Sequence, residues 1–135
     1  MSNILKFESK GLELDYYDLF LQIGQLYTED LRVQDFDLVG TPSIIDFGAM
    51  AEKVSNTHLG IVISWKDWLD IVRSTSQIVN LFITNSGFEK SFKGLTDEVL
   101  QAETNYFIEC VDSIYWTIYL KNYDVGELKI NPRSV

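Results

Sequence analysis

The sequence has few of the residues from which catalytic and metal sites are usually built. Its 135 residues include a single cysteine, Cys110, and a single histidine, His58. The lone cysteine excludes an internal disulfide and any cysteine-based zinc site. A catalytic triad or a histidine metal site would have to be built on His58, whose position between Thr57 and Leu59 at a predicted turn favours a structural role. The glycines are isolated from one another, which excludes a glycine-rich phosphate loop. We therefore expect no enzymatic activity, no cofactor and no metal.

Basic residues are also scarce. The chain has 11 lysines and arginines against 20 aspartates and glutamates, a net charge of −9 and a pI near 4.4. This balance argues against direct binding to nucleic acid, because phosphates require a basic surface. No apolar run reaches the length of a signal peptide or a membrane span, so we expect a cytoplasmic protein without membrane association. Hydrophobic residues make up 46% of the chain, enough for the core of one domain over residues 1–135.

The strongest local pattern lies within residues 60–87. Residues 61–63 are apolar and β-branched, which predicts a short buried strand. Ser64 follows as a helix N-cap, and apolar residues then recur at helical spacing as far as Ile83, which predicts a helix of roughly five turns. Residues 78–83 are also apolar and β-branched enough to form a strand. We favour the helix because its polar face stays in phase throughout.

The other elements have weaker patterns. They are a first strand at residues 4–7, helices over about 15–29, 41–55 and 96–104, a loop or edge strand at 30–37, and a last short strand within 125–130. Residues 105–121 fit either a hairpin that turns at Asp112 and Ser113 or one long helix, and we favour the hairpin. Together these elements predict an α+β fold, with a small, mainly antiparallel sheet packed against three to four helices.

Negative charge is concentrated in one third of the chain. Residues 13–52, called the acidic segment below, contain nine acidic residues and one base, Arg32. The segment could be a solvated surface that keeps the protein soluble. A surface with so few counter-charges repels itself, however, and a basic partner would explain it. Tyrosines lie among these acids and suit an interface. The partner-binding residues predicted on this basis are Asp15, Tyr17, Asp18, Glu29, Asp30, Asp35, Asp37 and Asp46.

This charge distribution predicts a non-enzymatic acidic protein that neutralises a basic protein partner. The most concrete form is an immunity protein or antitoxin that blocks a cationic bacterial toxin such as a nuclease, whose own surface is built to hold phosphate. The sequence leaves the oligomeric state open between a monomer and a weak dimer.

Two alternative functions stay open at this point. Exposed aromatic residues between Tyr106 and Tyr123 would suit a subunit of a larger phage or secretion assembly. A pocket where the helix from Ser64 meets the sheet would suit a small-ligand or enzymatic domain. The polar residues predicted to line that pocket are Asp67, His58 and Tyr115.

Overall fold

The computed structural model describes residues 2–10, 14–41, 45–91 and 95–130. It has the predicted α+β fold, with one six-stranded antiparallel sheet packed against helices. The strands are β1 (Ile4–Glu8), β2 (Leu31–Gly40), β3 (Ile61–Ile63), β4 (Thr75–Asn85), β5 (Tyr106–Val111) and β6 (Tyr115–Leu120). The helices are α1 (Tyr16–Gly24), α2 (Phe47–Ser55), α3 (Trp65–Arg73) and α4 (Asp97–Glu103), followed by a 3₁₀ turn at Val125–Glu127. Across the sheet the strand order is β1-β6-β5-β4-β2-β3.

The sheet buries apolar side chains on both of its faces. In β4, Leu81 and Ile83 belong to the main core, whereas Phe82 between them belongs to a smaller second cluster. Successive side chains of a strand point to opposite sides, so the two clusters define a first face and a second face of the sheet. β4 is an interior strand between β5 and β2, and both of its faces are covered by apolar clusters.

The first face is covered by α1 and α3. Trp68 of α3 is fully buried, and its ring meets Phe20 of α1 edge-on at a centroid distance of 5.5 Å. The helix α1 passes close to Trp65 at Gly24. A Cβ at this position would lie 2.9 Å from the indole ring, which is closer than an ordinary contact. The helix α2 packs along β2. These contacts place most of the apolar burial on one side of the sheet.

The second face carries a smaller cover. Phe88, which follows β4, and Leu100 of α4 pack against Phe82 and its neighbours. Val111 on β5 and Tyr115 on β6 lie outside this cover and are exposed. The second face therefore has an open part that neighbouring strands share.

The predicted five-turn helix after Ser64 is wrong beyond Arg73. Ser64 is the N-cap of α3, and its hydroxyl accepts a hydrogen bond from the amide of Asp67 at 3.1 Å. The helix ends at Arg73, however, and residues 75–85 form β4. The competing interpretation of residues 78–83 as a strand is therefore confirmed. Their apolar side chains pack on two faces of a sheet, with Leu81 and Ile83 on the first face and Phe82 on the second, whereas a surface helix would bury one stripe.

The bounds of two helices also differ from the prediction. α1 ends at Gly24 and does not extend to Glu29, because glycine is a poor helix former. α2 begins after Asp46, whose carboxylate caps its first turn, and not at Thr41. Aspartate caps helices at least as well as threonine, so Asp46, directly before Phe47, serves as the cap. Pro42, part of the predicted start, lies outside the described residues.

The remaining predictions divide between confirmed and corrected elements. β1, α4 and the β5–β6 hairpin are confirmed. Residues 31–37, which were predicted as a loop or edge strand, form most of β2. This strand pairs with β4 along its length and with β3 only at residues 31–33. The predicted last strand within 125–130 is wrong, since Val125–Glu127 is a 3₁₀ turn.

Candidate functional site

Strand register brings carboxylates together on the second face. Asp35 on β2 and Glu109 on β5 are both register partners of Phe82 on β4. Directly paired residues in antiparallel strands point to the same side, so the two carboxylates flank Phe82. Asp37 follows two residues after Asp35 and shares this face. With strands about 4.8 Å apart, Asp35 and Glu109 are separated by roughly 10 Å.

An exposed row of side chains lies beside these carboxylates. Glu8 on β1 is the register partner of Tyr115 on β6, and Tyr115 is the partner of Val111 on β5. Val111 follows two residues after Glu109, so the row continues the same face. Tyr115 is 52% exposed and Val111 is 40% exposed. We call this surface the acidic face and define it by Glu8, Asp35, Asp37, Glu109, Val111 and Tyr115.

The bases that the described strands carry on the second face are already paired. The strands described in the structure carry two bases on this side, Lys6 and Arg32. Lys6 pairs with Asp97 of α4, and Arg32 lies 3.9 Å from Glu89 while also donating to the carbonyl of Ser86. The ion pairs found among the described residues include none of the four carboxylates of the acidic face. Their negative charge is therefore left without a salt bridge in that part of the chain.

Two of these carboxylates are partly buried. Burial is the main cause that raises the pKa of both Asp35 and Glu109 above their ordinary values. Asp37 raises the pKa of Asp35 further. Asp97 and Asp35 also raise the pKa of Glu109, and Lys6 lowers it to a smaller extent than burial raises it. Each carboxylate is thus destabilised in its charged form by burial and by neighbouring carboxylates.

Of the eight predicted partner-binding residues, Asp35 and Asp37 lie on the acidic face. Asp15 and Asp46 have local structural roles, since they are the N-caps of α1 and α2. Asp15 accepts a hydrogen bond from the amide of Asp18 at 2.9 Å, and Asp46 accepts one from the amide of Ala49 at 3.0 Å. An N-cap carboxylate satisfies free amides of the first turn, which gives a folding reason for both residues.

Tyr17 and Asp18 lie on α1, on the first face of the sheet. The Arg73 guanidinium lies 4.6 Å from the centre of the Tyr17 ring and donates to the Tyr17 hydroxyl at 2.8 Å. The Asp18 carboxylate accepts from the Gln22 amide at 3.1 Å. This corner of the molecule therefore combines an acid with a base.

Glu29 and Asp30 lie at the other end of the sheet. The Glu29 carboxylate accepts from the side-chain amides of Asn105 at 2.6 Å and Asn85 at 3.4 Å, while Asp30 is exposed. Asp15 lies near a different part of β4, because the hydroxyl of its neighbour Tyr16 accepts a hydrogen bond from the amide of Ile78. Ile78 is seven residues before Asn85, which contacts Glu29, so at about 3.3 Å per residue Asp15 and Glu29 lie near points of β4 that are roughly 20 Å apart. The structure thus brings Asp35 and Asp37 together but spreads the other predicted residues over several regions.

A cavity of about 570 Å³ opens beside Asp35. It lies between β2, the C-terminal half of α2 and the turn that follows α2. The lining residues include Gln34, Phe36, Val54, Ser55, Thr57 and His58. Of the three residues predicted to line a pocket, His58 lines this cavity. Asp67 is exposed on α3, and Tyr115 lies on the acidic face.

Sequence reasoning missed Glu8, Glu109 and Val111 as members of the site. A local signal existed for Glu109, because it alternates with the apolar residues Ile108 and Cys110 as the outward residue of a strand does. Glu8 could not be found in this way. Its position beside Tyr115 depends on the pairing of β1 with β6, which are far apart in the chain.

Comparison of the chain with protein-family models, with curated proteins and with solved structures gives no match. Among the helices that the structure describes, none is long and apolar enough to cross a membrane. Within the described ranges, no group of three or more histidine, cysteine, aspartate or glutamate side chains could hold a metal ion. Cys110 is buried, and burial raises the pKa of its thiol to about 12, so the thiol stays protonated at neutral pH.

Proposed function

We propose that this chain is a non-enzymatic binding protein that neutralises a basic protein partner. Its most concrete form is a cytoplasmic immunity protein or antitoxin that blocks a cationic bacterial toxin such as a nuclease. The observation that supports the proposal is the acidic face. Its four carboxylates have no salt bridge among the described residues; Glu8 and Asp37 are exposed, and Asp35 and Glu109 are partly buried.

The spacing of the charges suits attraction of a basic surface. Asp35 and Asp37 are separated by about 7 Å along β2, and Asp35 and Glu109 by roughly 10 Å across the sheet. These separations are comparable to the Debye length of about 8 Å at physiological ionic strength, so the fields of the carboxylates add in part. An added negative field speeds the encounter with a cationic protein. A nuclease surface that holds phosphate would meet it with the complementary charge.

The exposed side chains next to these charges provide contact area. Tyr115 and Val111 lie side by side as register partners, and both are exposed. A tyrosine ring supplies apolar area together with a hydroxyl that can hydrogen-bond, which is why tyrosine is enriched in interfaces. The acidic face thus combines an apolar contact with a charged surround, as protein-binding surfaces commonly do.

A second copy of the chain is a poorer partner for this surface. In a twofold dimer the same patch faces itself, so the carboxylates of one copy would approach those of the other. The assembly alternative is also weakened by burial, because most aromatic residues between 106 and 123 lie inside the molecule. Those buried are Tyr106, Phe107, Trp116 and Tyr119. A basic, different protein fits the charge better.

The proposal is tested with the product of the gene adjacent to the one encoding this chain. We expect that product to be basic and toxic to the host, and co-expression of this chain to restore growth. Binding measured with purified proteins should weaken between 50 and 300 mM salt, mainly through a slower association rate. If the neighbouring product is acidic, or binds with the same rate at both salt concentrations, the proposal is wrong.

Variants locate the interaction on the surface. The double variant D37N/E109Q removes two charges from the acidic face and should lower affinity at least about tenfold. Asp67→Asn removes one exposed carboxylate from α3, on the other side of the sheet, and serves as the control. Equal affinities for the double variant and the wild type would reject the acidic face as the binding surface.

A further inference from the structure

The cavity beside Asp35 adjoins the acidic face. Asp35 belongs to both, because it lines the cavity and also flanks Phe82 on the open sheet. From residue 35 onward β2 pairs with β4 and has no register partner in β3. α2 packs along this part of β2, and the cavity lies where they meet. A side chain from a protein docked on the acidic face would reach the cavity at Asp35.

The described walls of the cavity supply hydrogen-bond acceptors and no lysine or arginine. Asp35 contributes a carboxylate, and Ser55 and Thr57 contribute hydroxyl groups. The Thr57 hydroxyl donates to the carbonyl of Lys53 at 2.7 Å, which leaves its oxygen able to accept. Burial and Asp37 raise the pKa of Asp35, and no cation of the described residues is among the groups that shift it. A positively charged hydrogen-bond donor would complement the carboxylate and hydroxyl oxygens of these walls.

Gln34 lines the same cavity. Its side-chain nitrogen donates to the Thr84 hydroxyl at 3.2 Å, and that hydroxyl donates in turn to the carbonyl of Asn85. Because the Thr84 proton is used in this way, the orientation of the Gln34 amide is fixed. Its oxygen, Oε1, is buried and accepts no hydrogen bond among the described residues.

We propose that this cavity binds a guanidinium group, supplied by an arginine side chain of the basic partner. This inference rests on the proposed function and names the group that the partner inserts. A guanidinium is planar, carries five N–H donors and can bind a carboxylate through two parallel hydrogen bonds. It is more weakly hydrated than an ammonium, so it enters a half-buried site at lower cost. The apolar side chains of Phe36, Ala51 and Val54 line the same cavity and can pack against the methylene stem of the arginine.

The test uses a small probe and does not require the partner. Amide chemical shifts of the ¹⁵N-labelled protein are followed while N-acetyl-arginine amide is added. Matched titrations use the lysine analogue and the citrulline analogue, which keeps the arginine shape without the charge. We expect saturable shifts at Asp35, Ser55 and His58 with the arginine probe, weaker shifts with lysine and none with citrulline. No saturable shift at these residues, or equal shifts with citrulline, would overturn the inference.

Two variants complete the test. Asp35→Asn keeps the side-chain shape and should weaken binding of the arginine probe about tenfold or more, since hydrogen bonds to a charged group are the strong ones. Glu52→Gln removes one exposed carboxylate of α2 that does not line the cavity, and it should bind the probe as the wild type does. Unchanged binding by Asp35→Asn would reject the assignment. If the wild type binds the basic partner but not the arginine probe, only this inference is disproved. If it binds the probe but not the partner, only the proposed function is disproved.

Discussion

Neutralising Asp35 or Glu109 is expected to stabilise the folded protein at neutral pH. The two carboxylates flank Phe82 at roughly 10 Å. At that distance Coulomb repulsion between two unit charges is about 0.4 kcal/mol in water and about 1.7 kcal/mol at an effective dielectric constant of about 20. Asp35→Asn and Glu109→Gln keep the side-chain shapes and remove this repulsion. The coupling energy from a double-mutant cycle should therefore lie between about 0.4 and 1.7 kcal/mol.

The sign of the pH dependence follows from the raised pKa values of Asp35 and Glu109 in the folded state. As pH falls from neutral, the folded protein takes up protons at these groups before the unfolded chain does. The wild type therefore gains stability relative to the variants as pH falls, and the gain is complete below about pH 4, where the carboxyls of the unfolded chain also protonate. The advantage of each variant should be largest at pH 7 and should shrink on acidification.

Urea unfolding followed by tryptophan fluorescence measures these differences. Wild type, the two single variants and the double variant are compared at low salt, at pH 7 and at about pH 4. Glu52→Gln is the control, because Glu52 is exposed on α2 and is not part of the acidic face. Variants that are less stable than the wild type at pH 7, or a coupling energy of zero, would refute the view that these charges repel each other.

Three further predictions concern single positions. Asp15→Ala should lower the free energy of unfolding by about 0.5–2 kcal/mol while Asp15→Asn changes it little, because both aspartate and asparagine cap helices; equal losses in urea unfolding would contradict the capping role. Gly60→Ala should cost at least about 1 kcal/mol, because Gly60 has a φ of +79° and a Cβ there would lie 2.2 Å from the carbonyl oxygen of Val33; unchanged thermal stability would argue against this turn. Cys110 should react with a thiol reagent at the rate of unfolding, and rapid labelling of the folded protein would show that it is not buried.

Helix N-caps, in which a side chain bonds to the nearby backbone, could be predicted from the sequence. Ser64 and Thr96 are both N-caps in the structure, and each accepts a hydrogen bond from an amide three residues further on. Such bonds depend on a few neighbouring residues, so the sequence contains all the information needed. The start of α2 shows the limit of this approach. Thr41 and Asp46 both resemble caps, and local rules do not rank them securely.

Burial on two faces was not readable in the same way. The segment around Phe82 and Ile83 satisfies a helical period, but it belongs to an interior strand whose apolar residues alternate between two clusters. A strand covered on both faces is a near-continuous apolar run, which periodicity does not separate from a buried helix. Its pairing with β2 and β5 decides the matter, and those contacts are long-range.

The β5–β6 hairpin was predicted although its turn lacks glycine. Asp112 and Ser113 adopt positive φ values of 53° and 64°. Contacts with β4 hold them there, since the Asp112 amide donates to the Asn80 side chain at 3.1 Å and the Ser113 amide donates to the carbonyl of Val79 at 2.8 Å. The strand propensities on either side indicated the hairpin, whereas the support for its turn comes from tertiary structure.

The candidate site was only partly accessible from the sequence for the same reason. Counting charges along the chain found Asp35 and Asp37, which lie close together on one strand. It could not find Glu8 and Glu109, which join them through the pairing of β1 with β6 and of β4 with β5. It also included Asp15, whose carboxylate caps α1. Negative charge in a segment of sequence is therefore a weaker guide than negative charge on one face of a sheet.

The most direct test of the acidic face is a comparison of amide spectra of the ¹⁵N-labelled chain, free and saturated with the basic product of the adjacent gene. Our account predicts that the largest changes fall at Asp37, Glu109, Val111 and Tyr115, while the exposed surface of α3 around Asp67 is unaffected. Changes confined to α1 and α3, with the acidic face unchanged, would contradict it.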